Sequence, residues 1–225
     1  MTSGKNKIKA VLFDLDDTLI DRDKMFSNWV RYFAKNFSSY PPDMLDGYLV
    51  KLKVTDSRGA GRREAVFADM MKEFGIDDMA VLEKSYYDTY RDFAEPFCGE
   101  LETLEKLKKD GYLLGVVSNG YTELQKKKMR NAGLFDYFDE ILISEEAGCQ
   151  KPDKRIFESM AKKLGILPSE ALMVGDRYEI DVLGALGAGM RACYMTARID
   201  PDEENDYEYQ AEKFEDILNI LDKLR

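Results

Sequence analysis

The chain has 225 residues, with 33 Lys and Arg against 43 Asp and Glu, so its net charge is −10. This acidity excludes nucleic acid and anionic membranes as the main partners, because phosphate-rich surfaces select basic proteins. The absence of histidine excludes Ser-His-Asp and Cys-His catalysis, which leaves acid–base chemistry to carboxylates, Lys, Tyr or Cys.

The first predicted element is a buried strand over Ile8–Phe13, followed at once by the acidic turn Asp14–Thr18, with the sequence DLDDT. Ligands of open α/β sheets bind at the carboxyl ends of the strands. Crowded carboxylates repel each other unless a cation or a shared proton relieves them. The turn therefore predicts a hard metal ion with one carboxylate free for chemistry. An acidic helix cap is the structural alternative.

A long insertion follows this turn. Residues 20–95 show helical periodicity that Pro and Gly residues break into about four helices. The insertion is much longer than a βαβ crossover needs, since about 30 residues suffice for the whole unit. We therefore predict an α/β core over residues 1–19 and 96–225, and a helical cap domain over 20–95 that acts as a lid.

Four further apolar runs predict strands. They are Tyr112–Val117, Glu140–Ile143, Ala171–Val174 and Arg191–Met195. Segments with helical periodicity separate them, and an amphipathic segment over 214–224 predicts a closing helix. Strands and helices that alternate at this spacing indicate βαβ units and a parallel sheet, and hence an α/β fold.

Polar residues at the predicted strand ends are suited to phosphate binding. Ser118–Gly120 offers a hydroxyl and backbone N–H groups, and Lys151 stands just before a predicted helix. Asp176 follows the fourth strand, and Asp181 points back from the next helix. Because the carboxyl ends of parallel strands share one edge of a sheet, we expect these side chains to meet Asp14.

In this order, the motifs resemble those of the haloacid dehalogenase superfamily of hydrolases. The matching positions are Asp14, Asp16, Thr18, Ser118, Lys151, Asp176 and Asp181. The match spans residues 8–195, includes all four family motifs, and extends to a helical insertion that resembles the family's cap of the first type. The resemblance implies a Rossmann-like three-layer core with a parallel sheet, an inserted α-helical cap, and phosphatase activity.

The resemblance also implies the catalytic and metal-binding roles. Asp14 would attack phosphorus in line and form an aspartyl phosphate. Asp16 would protonate the leaving alkoxide and then deprotonate the water that hydrolyses the intermediate. Mg²⁺ would bind Asp14, the backbone carbonyl of Asp16, and Asp176, in agreement with the preference of Mg²⁺ for oxygen ligands.

The remaining motif residues would support the phosphoryl group. The Ser118 hydroxyl and the Asn119 amide would hold its oxygens, and Lys151 would add positive charge. Asp181 would orient Lys151 or a metal-bound water, and Thr18 would steady the acidic turn by hydrogen bonding.

The second aspartate of the turn, Asp16, favours phosphate chemistry over carbon–halogen cleavage, because family dehalogenases lack it. Two alternatives stay open. A phosphomutase would return the phosphoryl group to its substrate, although the family's sugar phosphomutases use a cap histidine. A phosphorylatable receiver-type signalling module needs an acceptor aspartate at its third strand end, where this chain has serine.

The predicted partner is a small phosphorylated metabolite, either a sugar phosphate or a nucleoside monophosphate. Arg58, Arg62 and Arg63 in the insertion are candidates for binding a second anionic group, and a solvated loop is the alternative. Residues 1–7 are polar and no apolar run reaches the length of about 20 residues that spans a membrane. We expect a cytoplasmic monomer or homodimer that binds no membrane and no nucleic acid.

Overall fold

The computed structural model describes residues 7–59, 61–196 and 208–224, without the side chain of Arg58. The chain divides into two compact units. One unit runs up to Ile20 and resumes at Pro96, and the other is Asp21–Glu95. Among the described residues, no helix is long and apolar enough to cross a membrane.

The unit Asp21–Glu95 is helical and has an aromatic core. Its longer helices are α1 (Arg22–Phe37), α2 (Leu45–Asp56), α3 (Arg63–Phe74) and α4 (Met79–Thr89). The ring of Trp29 in α1 is fully buried and lies 6.2 Å from the ring of Phe67 and 5.4 Å from that of Tyr86. Its indole N–H donates a hydrogen bond to the Ser85 hydroxyl at 3.2 Å, which satisfies the one polar group of this buried side chain.

The other unit contains, in its described part, one parallel sheet of six strands. They are β1 (Ala10–Phe13), β2 (Leu113–Ser118), β3 (Glu140–Ile143), β4 (Ala171–Gly175), β5 (Arg191–Met195) and β6 (Tyr209–Ala211). The order across the sheet is β3-β2-β1-β4-β5-β6. The α/β fold and all five predicted strands are confirmed. Strand β6 was not predicted, because its three residues form no apolar run.

Helices follow the strands as the alternating pattern predicts. They are α5 (Glu100–Lys109), α6 (Thr122–Asn131), α7 (Ser144–Ala147), α8 (Lys154–Lys163), α9 (Leu183–Gly187) and α10 (Asp216–Lys223), with a π-helical turn at Tyr178–Val182. Short 3₁₀ turns lie at Pro42–Met44, Ser57–Gly59, Tyr90–Phe93, Phe135–Tyr137 and Pro168–Glu170.

Apolar side chains cover both faces of the sheet. Leu12 of β1 shares a buried cluster with Phe157 and Met160 of α8. Successive side chains of a strand point to opposite faces, and the neighbouring Phe13 stacks on Phe214 just before α10, with 5.9 Å between ring centroids. The strand β1 is thus buried on both sides, which explains why its sequence is continuously apolar.

Glu100, the first residue of α5, is a fully buried carboxyl. Its Oε2 accepts a hydrogen bond from the Phe97 N–H at 2.9 Å, and its Oε1 has no partner among the described residues. Burial raises the pKa of Glu100 to about 9, against the opposing hydrogen bond from Phe97. The folded state therefore binds this proton more tightly than the unfolded chain does, and the stability it contributes is lost as the pH rises from about 4.5 to about 9.

Replacing Glu100 with Gln should remove this pH dependence, because Gln keeps an acceptor for the Phe97 N–H and does not ionise. At pH 7 the ionisation penalty is about 3 kcal/mol. We expect E100Q to gain stability over the unmodified protein at pH 8 and to lose the advantage at pH 5, as measured by urea unfolding. Parallel stability curves for the two proteins across this range would contradict the assignment.

Candidate active site

The sheet register brings the predicted motif residues to one edge. Phe13 at the end of β1 pairs with Val116 of β2 and with Val174 of β4. Asp14 follows directly, and its N–H donates to the Val174 carbonyl at 2.9 Å. The parallel strands therefore end side by side, with β1 between the two strands that precede the Ser118 and Asp176 loops.

The side chain of Lys151 contacts residues that follow two of these strands. Its buried Nζ lies 2.5 Å from Asp14 Oδ1 and 2.6 Å from Asp181 Oδ1. The side chain of Asn119 fixes the backbone of Lys151 from both sides, since its Oδ1 accepts from the Lys151 N–H at 2.8 Å and its Nδ2 donates to the Lys151 carbonyl at 3.0 Å. The side-chain amide of Asn119 thus positions the lysine. The backbone N–H of Asn119 remains the predicted hydrogen-bond donor to phosphate.

Asp14 and Asp181, the two carboxylates that contact this lysine, belong to a buried group of three with Asp176. Asp14, Asp176 and Asp181 each offer an oxygen, and these oxygens lie within 4.8 Å of one another. The Thr18 hydroxyl donates to Asp176 Oδ1 at 3.3 Å. One ammonium cannot balance three carboxylates in a buried site. A hard divalent cation fits this donor set, because oxygen ligands at this separation are those that Mg²⁺ takes in proteins.

The charges in the cluster act on one another. Burial raises the pKa of the Asp14 carboxyl above its ordinary value; Lys151 opposes the rise, and Asp181 and Asp176 add to it. Burial lowers the pKa of Lys151, but attraction by Asp14 and Asp181 outweighs it, so this pKa lies above its ordinary value. Lys151 is therefore a permanent ammonium, and a further cation beside Asp14 would favour the ionised form that a nucleophile requires.

Asp181 lies in the π-helical turn and is completely buried. Its Oδ2 accepts from the Arg177 N–H at 3.1 Å, while Oδ1 faces Lys151. Such turns are rare and frequent at functional sites. The sequence predicted an ordinary helix after the fourth strand, and the wider turn is what presents this carboxylate to the lysine.

The carboxylate of Asp16 lies outside the group of three and is bound by helix α6. Lys128 Nζ lies 2.7 Å from each of its two oxygens, and Gln125 Nε2 lies 3.0 Å from Oδ2. Gln125 Nε2 also donates to the Ser118 hydroxyl at 2.8 Å. Neither Gln125 nor Lys128 was predicted from the sequence. In the structure both stand on the inward face of α6 with the buried Met129, which the sequence of this charged helix does not show.

The arginines predicted for substrate binding lie in the helical unit, and Arg63 has local partners there. Arg63 Nη1 donates to the Tyr87 hydroxyl at 2.8 Å, and its guanidinium lies 4.7 Å from the centre of the Tyr86 ring. Arg62 is the exposed residue before α3. The side chain of Arg58 is outside the described part of the chain.

Gly175, the last residue of β4, allows Asp181 to approach. A Cβ atom at position 175 would lie 2.5 Å from the Asp181 carboxylate, which is far inside van der Waals contact. We expect Gly175→Ala to push Asp181 away from Lys151, to lower stability by about 1–3 kcal/mol, and to lower turnover at least tenfold. Thermal unfolding and phosphate release measure the two effects.

Gly187→Ala is the matched control, because a Cβ there meets no atom within 4 Å. This second variant should keep its activity and its stability. Equal activity of the two alanine variants would show that the close approach at Gly175 has no functional role.

Comparison with known proteins places this geometry in a family. Residues 11–195 match the family model described as Haloacid dehalogenase-like hydrolase. Glyceraldehyde 3-phosphate phosphatase of Methanothermobacter thermautotrophicus is 31% identical over 207 residues, covering 89% of this chain and 91% of the relative. Pyrimidine 5'-nucleotidase YjjG of Escherichia coli is 29% identical over 202 residues, covering 83% and 85%.

The fold agrees with the sequence matches. The magnesium-bound crystal structure of the putative hydrolase YfnB from Bacillus subtilis superposes with a TM-score of 0.76 at 27% identity, over 96% of this chain and 99% of that chain. The resemblance stated from the motifs is therefore confirmed. The chain belongs to the haloacid dehalogenase-like hydrolases, as a phosphatase-like member with an inserted helical unit.

Proposed function

We propose that this protein is a Mg²⁺-dependent phosphatase that hydrolyses a small phosphorylated metabolite through a phosphorylated Asp14. The observation that carries the proposal is the Lys151 ammonium held between Asp14 and Asp181, with Asp176 in the same buried group. A buried cluster with excess negative charge and one fixed ammonium suits a site for a divalent cation and a phosphate dianion.

Each residue of the site has a separate role in the reaction, which follows from its position. Asp14 stands at the end of β1 and attacks the phosphorus atom, while Lys151 draws charge from the phosphoryl oxygens. Ser118 donates a hydrogen bond to one of those oxygens. Asp16, two residues after the nucleophile, gives a proton to the departing alkoxide and takes one from the water that cleaves the aspartyl phosphate.

Asp14 and Asp176, with the backbone carbonyl of Asp16, would hold the magnesium ion. When bound, this ion neutralises charge on the phosphoryl group and draws the nucleophile and phosphate together. Thr18 holds Asp176 by a hydrogen bond, and Asp181 keeps Lys151 in place. These two contacts leave Asp176 and Lys151 little freedom, so the site is organised before substrate arrives.

The substrate class rests on the relatives. They act on glyceraldehyde 3-phosphate and on pyrimidine nucleotides, as their names state. We infer that the substrate is a triose or other sugar phosphate, or a nucleoside monophosphate. Residues 20–95 remain the predicted cap, and Arg62 and Arg63 remain the predicted contacts to the part of the substrate beyond the phosphate.

A phosphate-release screen tests the proposal. The purified protein is incubated with a panel of sugar phosphates and nucleoside monophosphates, with Mg²⁺ and then with excess chelator. We expect phosphate release that chelation stops and added Mg²⁺ restores. No release from any ester would refute the phosphatase. Conversion of one sugar phosphate into its isomer without free phosphate would establish the phosphomutase instead.

A further inference from the structure

Two polar side chains on one face of α6 are buried beside the site without a role in the steps above. Gln125 and Lys128 stand one turn apart and are only 4% and 7% exposed. Burying an amide and an ammonium costs free energy unless both find partners. Their side-chain partners are Asp16 and Ser118, the residues proposed to transfer the proton and to bind the phosphate. Gln125 Nε2 also lies 3.3 Å from the Asn119 carbonyl.

Lys128 holds the Asp16 carboxylate by both oxygens. Nζ lies 2.7 Å from Oδ1 and 2.7 Å from Oδ2, while Gln125 Nε2 adds a contact of 3.0 Å to Oδ2. Contacts on both oxygens from a buried helix face fix the rotation of the carboxyl group. An acid–base group works only within hydrogen-bond reach of the proton it transfers, so its orientation sets the rate.

Gln125 sets the direction of the Ser118 proton. Its Nε2 donates to Ser118 Oγ at 2.8 Å, so the serine oxygen is an acceptor in this bond. A hydroxyl carries one donor and two acceptor sites, and the Ser118 O–H is therefore not consumed by Gln125 and can turn to a phosphoryl oxygen. The same amide nitrogen contacts Asp16, which ties the phosphate-binding serine to the acid–base group.

We propose that Lys128 and Gln125 are positioning residues, Lys128 orienting Asp16 for proton transfer and Gln125 orienting Ser118 for phosphate binding. This inference rests on the proposed phosphatase function. It predicts different defects: loss of Lys128 harms esters whose leaving group needs a proton, and loss of Gln125 weakens the binding of every phosphate ester.

The test compares two kinds of ester. One is the alkyl phosphate that the unmodified protein hydrolyses fastest, and the other is p-nitrophenyl phosphate, whose leaving phenolate needs no proton. The quantity compared is kcat/KM, because it covers the steps up to departure of the leaving group. Lys128→Met should lower it about 100-fold for the alkyl ester and less than about fivefold for the aryl ester.

Four further variants complete the set. Lys128→Arg keeps the positive charge and can donate to both oxygens of Asp16, so it should recover most of the activity on the alkyl ester. If Lys128→Met does not fold, Lys128→Gln should show the same difference between the two esters, although a smaller one. Gln125→Leu should raise KM for both esters about tenfold. Lys126→Met is the control, since Lys126 lies on the same helix and faces Glu146 at the surface, 3.4 Å away.

Equal losses of Lys128→Met on the two esters, or no loss on either, would overturn the positioning role of Lys128. A Gln125→Leu protein with unchanged KM would overturn that of Gln125. Failure of the phosphatase itself would look different, because the unmodified protein would then release no phosphate from either ester.

Discussion

Replacing Asp14 with Asn should abolish turnover while leaving the fold intact. The amide has the shape of the carboxyl group but cannot act as a nucleophile, so we expect kcat to fall about 10⁴-fold or more. The unfolding temperature without Mg²⁺ should be unchanged or higher, because Lys151 keeps Asp181 as its partner and the substitution removes one of three carboxylates whose oxygens lie within 4.8 Å. Phosphate release and thermal denaturation measure the two effects.

Asp17→Asn is the matched control for this experiment. Asp17 lies in the same turn, and its backbone φ of 61° is one that Asn tolerates. This variant should keep activity within about tenfold, far above the level of the Asp14 variant. Normal turnover by Asp14→Asn would show that the chemistry uses another residue.

Replacing Lys151 with Met should damage both activity and stability. The ammonium is buried against Asp14 and Asp181, and its loss leaves the carboxylates of the cluster without their fixed counter-charge. Breaking a buried ion pair costs about 3–5 kcal/mol, and loss of charge stabilisation at the phosphoryl group costs about 10²–10³-fold in kcat. The lost stability should return in part when Mg²⁺ is added, since a bound cation balances the same carboxylates.

Urea unfolding with Mg²⁺ and with chelator measures this rescue. Lys154→Met is the control, because Lys154 is 63% exposed beside Glu158 at the start of the next helix, and it should respond to Mg²⁺ as the unmodified protein does. If Lys151→Met has the same stability with Mg²⁺ and with chelator, the carboxylate cluster holds no divalent cation.

Much of the fold could be predicted because the sheet is parallel and buried on both faces. Such strands are continuous apolar runs, so β1 through β5 stand out from the amphipathic helices between them. Strand β6 was not predicted from the sequence, because a three-residue strand at the edge of the sheet has no such apolar run. The π-helical turn was not predicted either, because hydrophobic periodicity does not distinguish it from an α-helix.

The candidate site could be predicted in part because its groups stand next to strand ends, where topology fixes their location. Asp14 and Asp176 directly follow β1 and β4, so the order of the strands was enough to bring them together, whereas Lys151 lies beyond α7 and just before α8. Gln125 and Lys128 stand inside a helix rich in charged residues, where an exposed lysine and a buried one look alike. Only the three-dimensional packing of α6 shows which of its lysines, Lys126 or Lys128, meets Asp16.

Specificity could not be predicted for a physical reason. The side chains that distinguish one phosphate ester from another contact the variable part of the substrate, and the chemistry of the phosphate does not constrain them. Arg63 illustrates this, since the sequence suggested an anion contact and the structure gives its guanidinium two tyrosine rings and a hydroxyl.

Trapping the phosphorylated enzyme tests the central claim most directly. The protein is mixed with its best substrate and Mg²⁺, quenched in acid within one turnover, digested, and analysed by mass spectrometry. We predict one phosphoryl group on the peptide that contains Asp14, absent from the Asp14→Asn protein and lost on incubation at neutral pH. Phosphate release with no phosphorylated peptide, or with the phosphoryl group on another residue, would contradict the account.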